Sequence, residues 1–457
     1  MASRTDTVTA PTGQELSLTT CLGWGVGSLA VAVLFNSVNV LLLRYLVDYV
    51  GIGAAMAGAL IGVSKLYDAI IDPIVGIASD RTRSKIGRRR PYILGGGLML
   101  AIAALLLFNV PGGMGMTSSI VYVTLALLFY ATAYAVFSVP YMAMPAEMTG
   151  KPAERTRLIS FRIYAVATAS LIATFVGPVL ISWGGGGQTG HTAMSVFSAM
   201  VIVAATFFSF RFTRAAPFHF DDAPVRIGAI RKLQLLVGNR PFMLLLLIKL
   251  LQLTALAMTQ ASMPFLFKRI LQLDDTLLGL YFLVFYGAMI LSQRVWLRLA
   301  ARFGKRDMYF YATAAYGLLY LTWYFVTPSE PIALVFARAV LLGAIAGAVL
   351  LFGQSLLPDT MEWDYRRTGL RREGVLSAVY TMIEKLSYAV GAAITGIVLG
   401  QSGYIKGMGA AVVIQPQSAI TAIYWLASIL PMVCLLASCV VLKFYDLSED
   451  KLIEAPQ

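Results

Sequence analysis

The sequence predicts an all-α membrane protein of twelve transmembrane helices arranged as two six-helix halves. Three observations carry that prediction: a large apolar excess, its concentration in helix-length blocks, and the confinement of basic residues to alternate loops. Of the 457 residues, 58% are hydrophobic and only 13% charged, and the mean hydropathy is +0.75. A soluble chain of this length needs more polar surface than that. The apolar residues fall into blocks of about 20 or more, the length a helix needs to cross roughly 30 Å of hydrocarbon. Strand-length alternation is absent, which argues against a membrane β-barrel.

Twelve blocks read as spans, at approximately 20–47, 53–79, 91–111, 118–145, 158–183, 193–213, 241–268, 276–299, 308–327, 331–357, 374–400 and 417–443. The 2–3 loop carries Arg81, Arg83, Lys85, Arg88, Arg89 and Arg90, and the 4–5, 6–7, 8–9 and 10–11 loops are also basic. The 1–2, 3–4 and 5–6 loops hold no Lys or Arg. Basic loops stay on the cytoplasmic side. Both termini are therefore expected there, in a cell membrane of the bacterial inner type. The same placement accounts for the net charge of +13 without a nucleic-acid partner. Cys21, Cys434 and Cys439 lack metal-ligand spacing. The opening MASRTDTVTAPTGQELSLTT has no basic n-region joined to a short apolar stretch. No cleaved signal peptide is expected, and span 1 serves as the insertion signal.

Residues 1–213 read as an N-terminal six-helix bundle and 241–457 as a C-terminal bundle with a cytoplasmic tail. Residues 214–240 read as a cytoplasmic linker whose segment IGAIRKLQLLVGNRP predicts a short amphipathic helix. A weak repeat supports duplication: DRTRSKIGRRRP follows span 2, and ARFGKRD follows span 8. Two parallel six-helix repeats are the architecture of the major facilitator superfamily.

Ionisable groups at membrane depth are costly and therefore functional candidates. Span 2 holds Lys65, Asp68 and Asp72 in SKLYDAIIDPIVG. The two carboxylates are four apart and share a helix face with Lys65. Such a pair can share a proton or hold a small cation; the plainer reading is a buried Lys–Asp pair that fixes packing. Pro73 loosens the backbone bonding at that level. Glu384 and Lys385 lie about ten residues into span 11, and Lys385 needs a partner across the bundle while Glu384 points elsewhere. Arg162 is read as opening span 5. Arg44 and Lys249 are expected to snorkel, whereas Arg338 lies deeper and the sequence gives no account of it. Asn36 and Asn39 on span 1, and Tyr134, Ser138 and Tyr141 on span 4, are candidate pocket residues, and Met142, Arg162 and Glu384 are further candidates for substrate binding. A membrane enzyme is disfavoured: there is no H-E-x-x-H or G-x-S-x-G, and His191 and His219 both read as loop residues.

The stretch KLYDAIIDPIVGIASDRTRSKIGRRRPY, Lys65–Tyr92, resembles the signature of the glycoside–pentoside–hexuronide:cation symporter family. Val139–Arg162 resembles that family's helix 4 end and following loop, and Leu357–Gly391 its 10–11 loop and helix 11. With the GVGSL opening of span 1, the resemblance covers nearly the whole chain. It implies a cation-coupled symporter of a sugar, glycoside or sugar conjugate, working by alternating access. Asp68 and Asp72 match the cation site, Lys385 a lysine near it, and Arg162 an arginine linked to sugar binding. The 2–3, 4–5 and 10–11 loops match inner gating elements. Their candidates are Asp80, Arg81, Arg88, Arg89, Arg90, Glu147, Asp359 and Glu362, and the three arginines are expected to pair with Asp80, Glu147 or Glu362 when the cytoplasmic side is closed.

Three departures matter. Ala32 stands where the family's sugar carriers have a sugar-binding Asp, Ser138 where they have a further carboxylate, and Met142 where they have an aromatic sugar contact. The pocket is thus less polar, which suits an apolar glycoside and keeps a lysolipid-like amphipath as an alternative. The expected coupling ion is H+ or Na+, Na+ lying at Asp68 and Asp72 if it is the ion, with Lys65, Lys385 and Ser138 around it. No cofactor is expected, the substrate is a small molecule, and the monomer is the functional unit.

Overall fold

The computed structural model describes residues 16–84, 86–149, 151–214, 238–369, 372–406, 414–445 and 447. Apolar segments satisfy their backbone groups internally, so each becomes a helix. The helices are α1 (Leu18–Leu42), α2 (Ala54–Arg81), α3 (Arg90–Phe108) and α4 (Met116–Met148). Then come α5 (Pro152–Leu171, continuing through a π-turn to Trp183), α6 (Gln188–Phe212), α7 (Arg240–Ile270) and α8 (Asp275–Phe303). The last four are α9 (Lys305–Tyr320), α10 (Ile332–Thr368), α11 (Glu373–Gln401) and α12 (Gln417–Lys443). Eleven of them are long and apolar enough to cross a bilayer among the described residues. The twelfth, α9, is extended by a 3-10 turn at Leu321–Phe325. At about 1.5 Å per α residue and 2.0 Å per 3-10 residue it also reaches roughly 34 Å. The amphipathic helix expected in the linker lies outside the described residues, as do the first fifteen residues.

The packing repeats with a shift of six helices. In the first half α1 packs on α5 and α6, α2 on α4, and α3 on α4 and α6. In the second, α7 packs on α11 and α12, α8 on α10, and α9 on α10 and α12. Between the halves α2 meets α11 and α5 meets α8, a pair related by the same shift.

The α2–α11 crossing depends on glycine. A Cβ on Gly58 would sit 2.8 Å from Gly396 Cα, and one on Gly400 would sit 2.7 Å from Ala55 Cβ. Small residues let two backbones touch inside a membrane. These glycines lie at the end of the bundle opposite the basic loops, here called the far end. There Arg44 donates to Asp275 at 2.5 and 3.0 Å, Arg269 reaches Asp48 at 3.2 Å, and the Tyr404 hydroxyl donates to Asp48 at 3.0 Å. Arg44 therefore does not snorkel: it is 4% exposed, because its partner lies 231 residues away in the other half. Arg338 also has a partner, Glu330 at 2.7 Å, and lies over the Trp323 ring.

At the basic end these charged pairs close within a half. Arg88 and Arg89 pair with Glu147, and Arg89 also with Asp80 at 2.5 Å. Arg90 and Glu362, expected to join such pairs when the cytoplasmic side is closed, have other partners in this conformer. Arg90 donates to the Ile86 and Phe210 carbonyls and lies over the Phe210 ring, while Glu362 pairs one turn along its own helix with Arg366 at 2.7 Å. Arg81 is exposed at the end of α2. In the second half Lys305 lies 4.0 Å from Asp359, in loop and helix equivalent to Arg88 and Glu147. Arg372 grips the buried Asp364 with both forks, at 2.5–3.0 Å.

Candidate functional site

Further along the α2–α11 contact from the glycines, charged groups replace small ones. Asp72 lies nine residues before the end of α2, about 14 Å along the helix axis, and so near mid-membrane. Lys385 of α11 closes on Asp72 across the halves and lies 4.0 Å from Asp68. This is the partner across the bundle that Lys385 requires. Asp68 and Asp72 each keep one buried carboxylate oxygen, Oδ1, without a hydrogen-bond partner. Asp68 is buried, whereas Asp72 is partly open, its side chain 28% exposed.

Lys65 takes a different place from the one its spacing suggested. Its ammonium sits among rings: the Phe35 and Tyr130 centroids are both 4.9 Å away and Tyr134 is 6.0 Å. It also donates to the Tyr130 hydroxyl at 3.5 Å. Aromatic faces offer a buried ammonium partial compensation through the ring quadrupole. Of the two lysines, then, Lys385 is the one against the carboxylates. Its ammonium is also 5.2 Å from the Tyr134 centroid.

Phe35 of α1 joins Tyr134 of α4 and Tyr388 of α11, with centroids 6.1 and 5.0 Å away. This aromatic layer spans both halves beside the carboxylates. Phe35, Tyr130 and Tyr388 were not singled out from sequence. Helical spacing offered one signal, since Tyr388 lies four residues after Glu384 on the same face of α11.

The remaining candidates divide. Tyr134, Ser138 and Met142 fall at four-residue steps along one face of α4, and Met142 is exposed. Tyr141 does not join them. It is 2% exposed, stacks on Trp24 at 4.9 Å, takes a hydrogen bond from Ser28 at 2.7 Å and donates to the Trp24 carbonyl at 2.5 Å. With its ring and hydroxyl both used to seat α1 on α4, it is a packing residue. Asn36 is likewise structural, donating to Ala32 at 2.8 Å and to Ser170 at 3.3 Å, whereas Asn39 keeps a buried amide without a partner. Arg162 does not open its helix. Because α5 starts at Pro152, Arg162 lies ten residues inside, about 15 Å along the axis. Glu384 does point away from Lys385, toward Lys249 of α7 at 3.4 Å. Lys249 is 4% exposed and so is paired rather than snorkelling.

Comparison with known proteins bears on the family and the fold. The sequence matches the family described as MFS/sugar transport protein over residues 23–449. It is 28% identical to a glucuronide carrier protein homolog of Escherichia coli (strain K12), covering 96% of this chain and 95% of that protein. It is 24% identical to the isoprimeverose transporter of Lactiplantibacillus pentosus, covering 94% and 89%. Among solved structures, the fold resembles that of a D-xylose-proton symporter, with a TM-score of 0.66, 12% identity and coverage of 94% and 98%.

Proposed function

Because this chain belongs to the MFS/sugar transport family, in its glycoside–pentoside–hexuronide branch, we propose that it couples uptake of a sugar or glycoside to a proton held at Asp68 and Asp72. The observation that carries the coupling site is Lys385 of one half closed on Asp72 of the other. An ammonium and a cation compete for the same carboxylate. When a proton binds Asp72, the link between the halves loses its charge, and Lys385 is left with Asp68 at 4.0 Å. The charged link between the halves is then weaker, which is how an ion can bias alternating access. The donor set favours a proton over sodium. Ser138 stands where the family's sugar carriers have a further carboxylate, so fewer fixed anionic ligands remain for a hard cation, which takes several oxygen ligands.

With the basic end assigned to the cytoplasm, the far-end contacts support reading this as the inward-facing conformer. Substrate is read as lying between the Tyr134–Ser138–Met142 face, Asn39 and Arg162 on one side and Glu384 on the other. The test is uptake of labelled glycosides into proteoliposomes. An imposed proton gradient in sodium-free buffer should drive accumulation. A sodium gradient that drives it equally at constant pH would replace the proton, and accumulation under neither gradient would defeat the reading.

A further inference from the structure

Glu384 and Lys385 are neighbours on α11, so their side chains diverge by about 100°. Lys385 turns to the carboxylates of α2, and Glu384 turns to Lys249 of α7 at 3.4 Å. The two members of that second pair differ in access. The Lys249 side chain is 5% exposed and that of Glu384 is 32% exposed. Lys249 lies nine residues inside α7, roughly 14 Å along the axis, with its ammonium 5.2 Å from the Tyr380 ring centroid. A sealed ammonium at that depth is tolerated only with its counter-ion in place. The pair therefore presents one fixed carboxylate to the interior, its orientation set from behind by a lysine that substrate does not reach. This is what a site needs in order to take hydrogen bonds from hydroxyl groups. It also supplies from α11 the acceptor that α1 lacks, since Ala32 has none.

We propose that Lys249 is a positioning residue for substrate: it locks Glu384 as the acceptor for neighbouring hydroxyls of a polyhydroxylated ligand. The inference rests on the glycoside reading above.

The experiment is counterflow in proteoliposomes with a glycoside that the wild type carries and with its deoxy analogues. It uses Lys249→Met, Lys249→Arg, Glu384→Gln and the double Lys249→Met/Glu384→Gln. Lys249→Met should raise KM by about tenfold or more with maximal rate nearly kept, and Lys249→Arg should restore KM; a site built on a polar contact also rejects the analogue lacking that hydroxyl. The double variant removes both charges and so folds without an unpaired ion. It should match Glu384→Gln in KM and should no longer distinguish the deoxy analogue. A double variant with wild-type KM and intact discrimination overturns the inference while leaving the transport reading standing. A wild type that carries no glycoside removes both.

Discussion

The two ends of the bundle use the same chemistry in different directions. At the far end the buried pairs Arg44–Asp275 and Arg269–Asp48 join one half to the other. At the basic end Arg89–Glu147, Arg89–Asp80 and Arg372–Asp364 each close inside one half. A pair within a half braces a rigid body and persists through a rocking motion. A pair between halves exists in one conformer only, and its strength sets that conformer's population. The far end also has backbone contact at Gly58 and Gly396. That contact holds α2 against α11 and brings Asp72 within reach of Lys385.

Removing one partner from each type of pair breaks or sharpens the comparison. Asp275→Ala takes the closest carboxylate from a buried guanidinium, leaving it Asp48 at 4.0 Å and the Tyr49 hydroxyl at 3.3 Å, at a cost of up to about 3–5 kcal/mol, and about 1.4 kcal/mol is tenfold in a population. Spin labels at Gly53 and Lys406, on opposite halves at the far end, should move from a short to a long distance. Glu147→Gln should leave that distance alone and lower thermal stability by about 1–3 kcal/mol, since it weakens a buried acceptor within one half. Equal opening by both variants would erase the distinction between the ends. A smaller effect is expected from Tyr141→Phe, which loses the bonds to Ser28 and Trp24. Stability should fall by about 1 kcal/mol with KM for substrate nearly unchanged. A KM raised without loss of stability would return Tyr141 to the substrate site.

What the sequence made legible was local. The four-residue step from Asp68 to Asp72 places two carboxylates on one helix face, and the basic loops and apolar blocks give the twelve-helix plan. The six-helix repeat was visible only as two short loops, yet it governs every major packing pair. Partner choice was not legible. Lys385 had to have a partner, but that it is Asp72 depends on the Gly58–Gly396 crossing, hundreds of residues apart in sequence. Arg44 lies near a helix end, where a snorkelling arginine and an interface arginine look alike, and only Asp275 decides between them. Tyr141 reads as a pocket residue from its place on span 4, and only Trp24 on another helix, stacked on its ring, shows otherwise. The charged run AERTR masked the true start of α5 and misplaced Arg162.

The central claim is that the Asp68–Asp72 pair, held by Lys385, couples the ion to substrate movement. Asp72→Asn tests it most directly, with accumulation against a gradient and substrate exchange measured in the same proteoliposomes. The account predicts that uphill accumulation is lost while exchange persists within several-fold of wild type, because the substrate face is intact and only the ion's ligand is gone. Accumulation at the wild-type level in Asp72→Asn would contradict the account and leave the Asp72–Lys385 contact as packing alone.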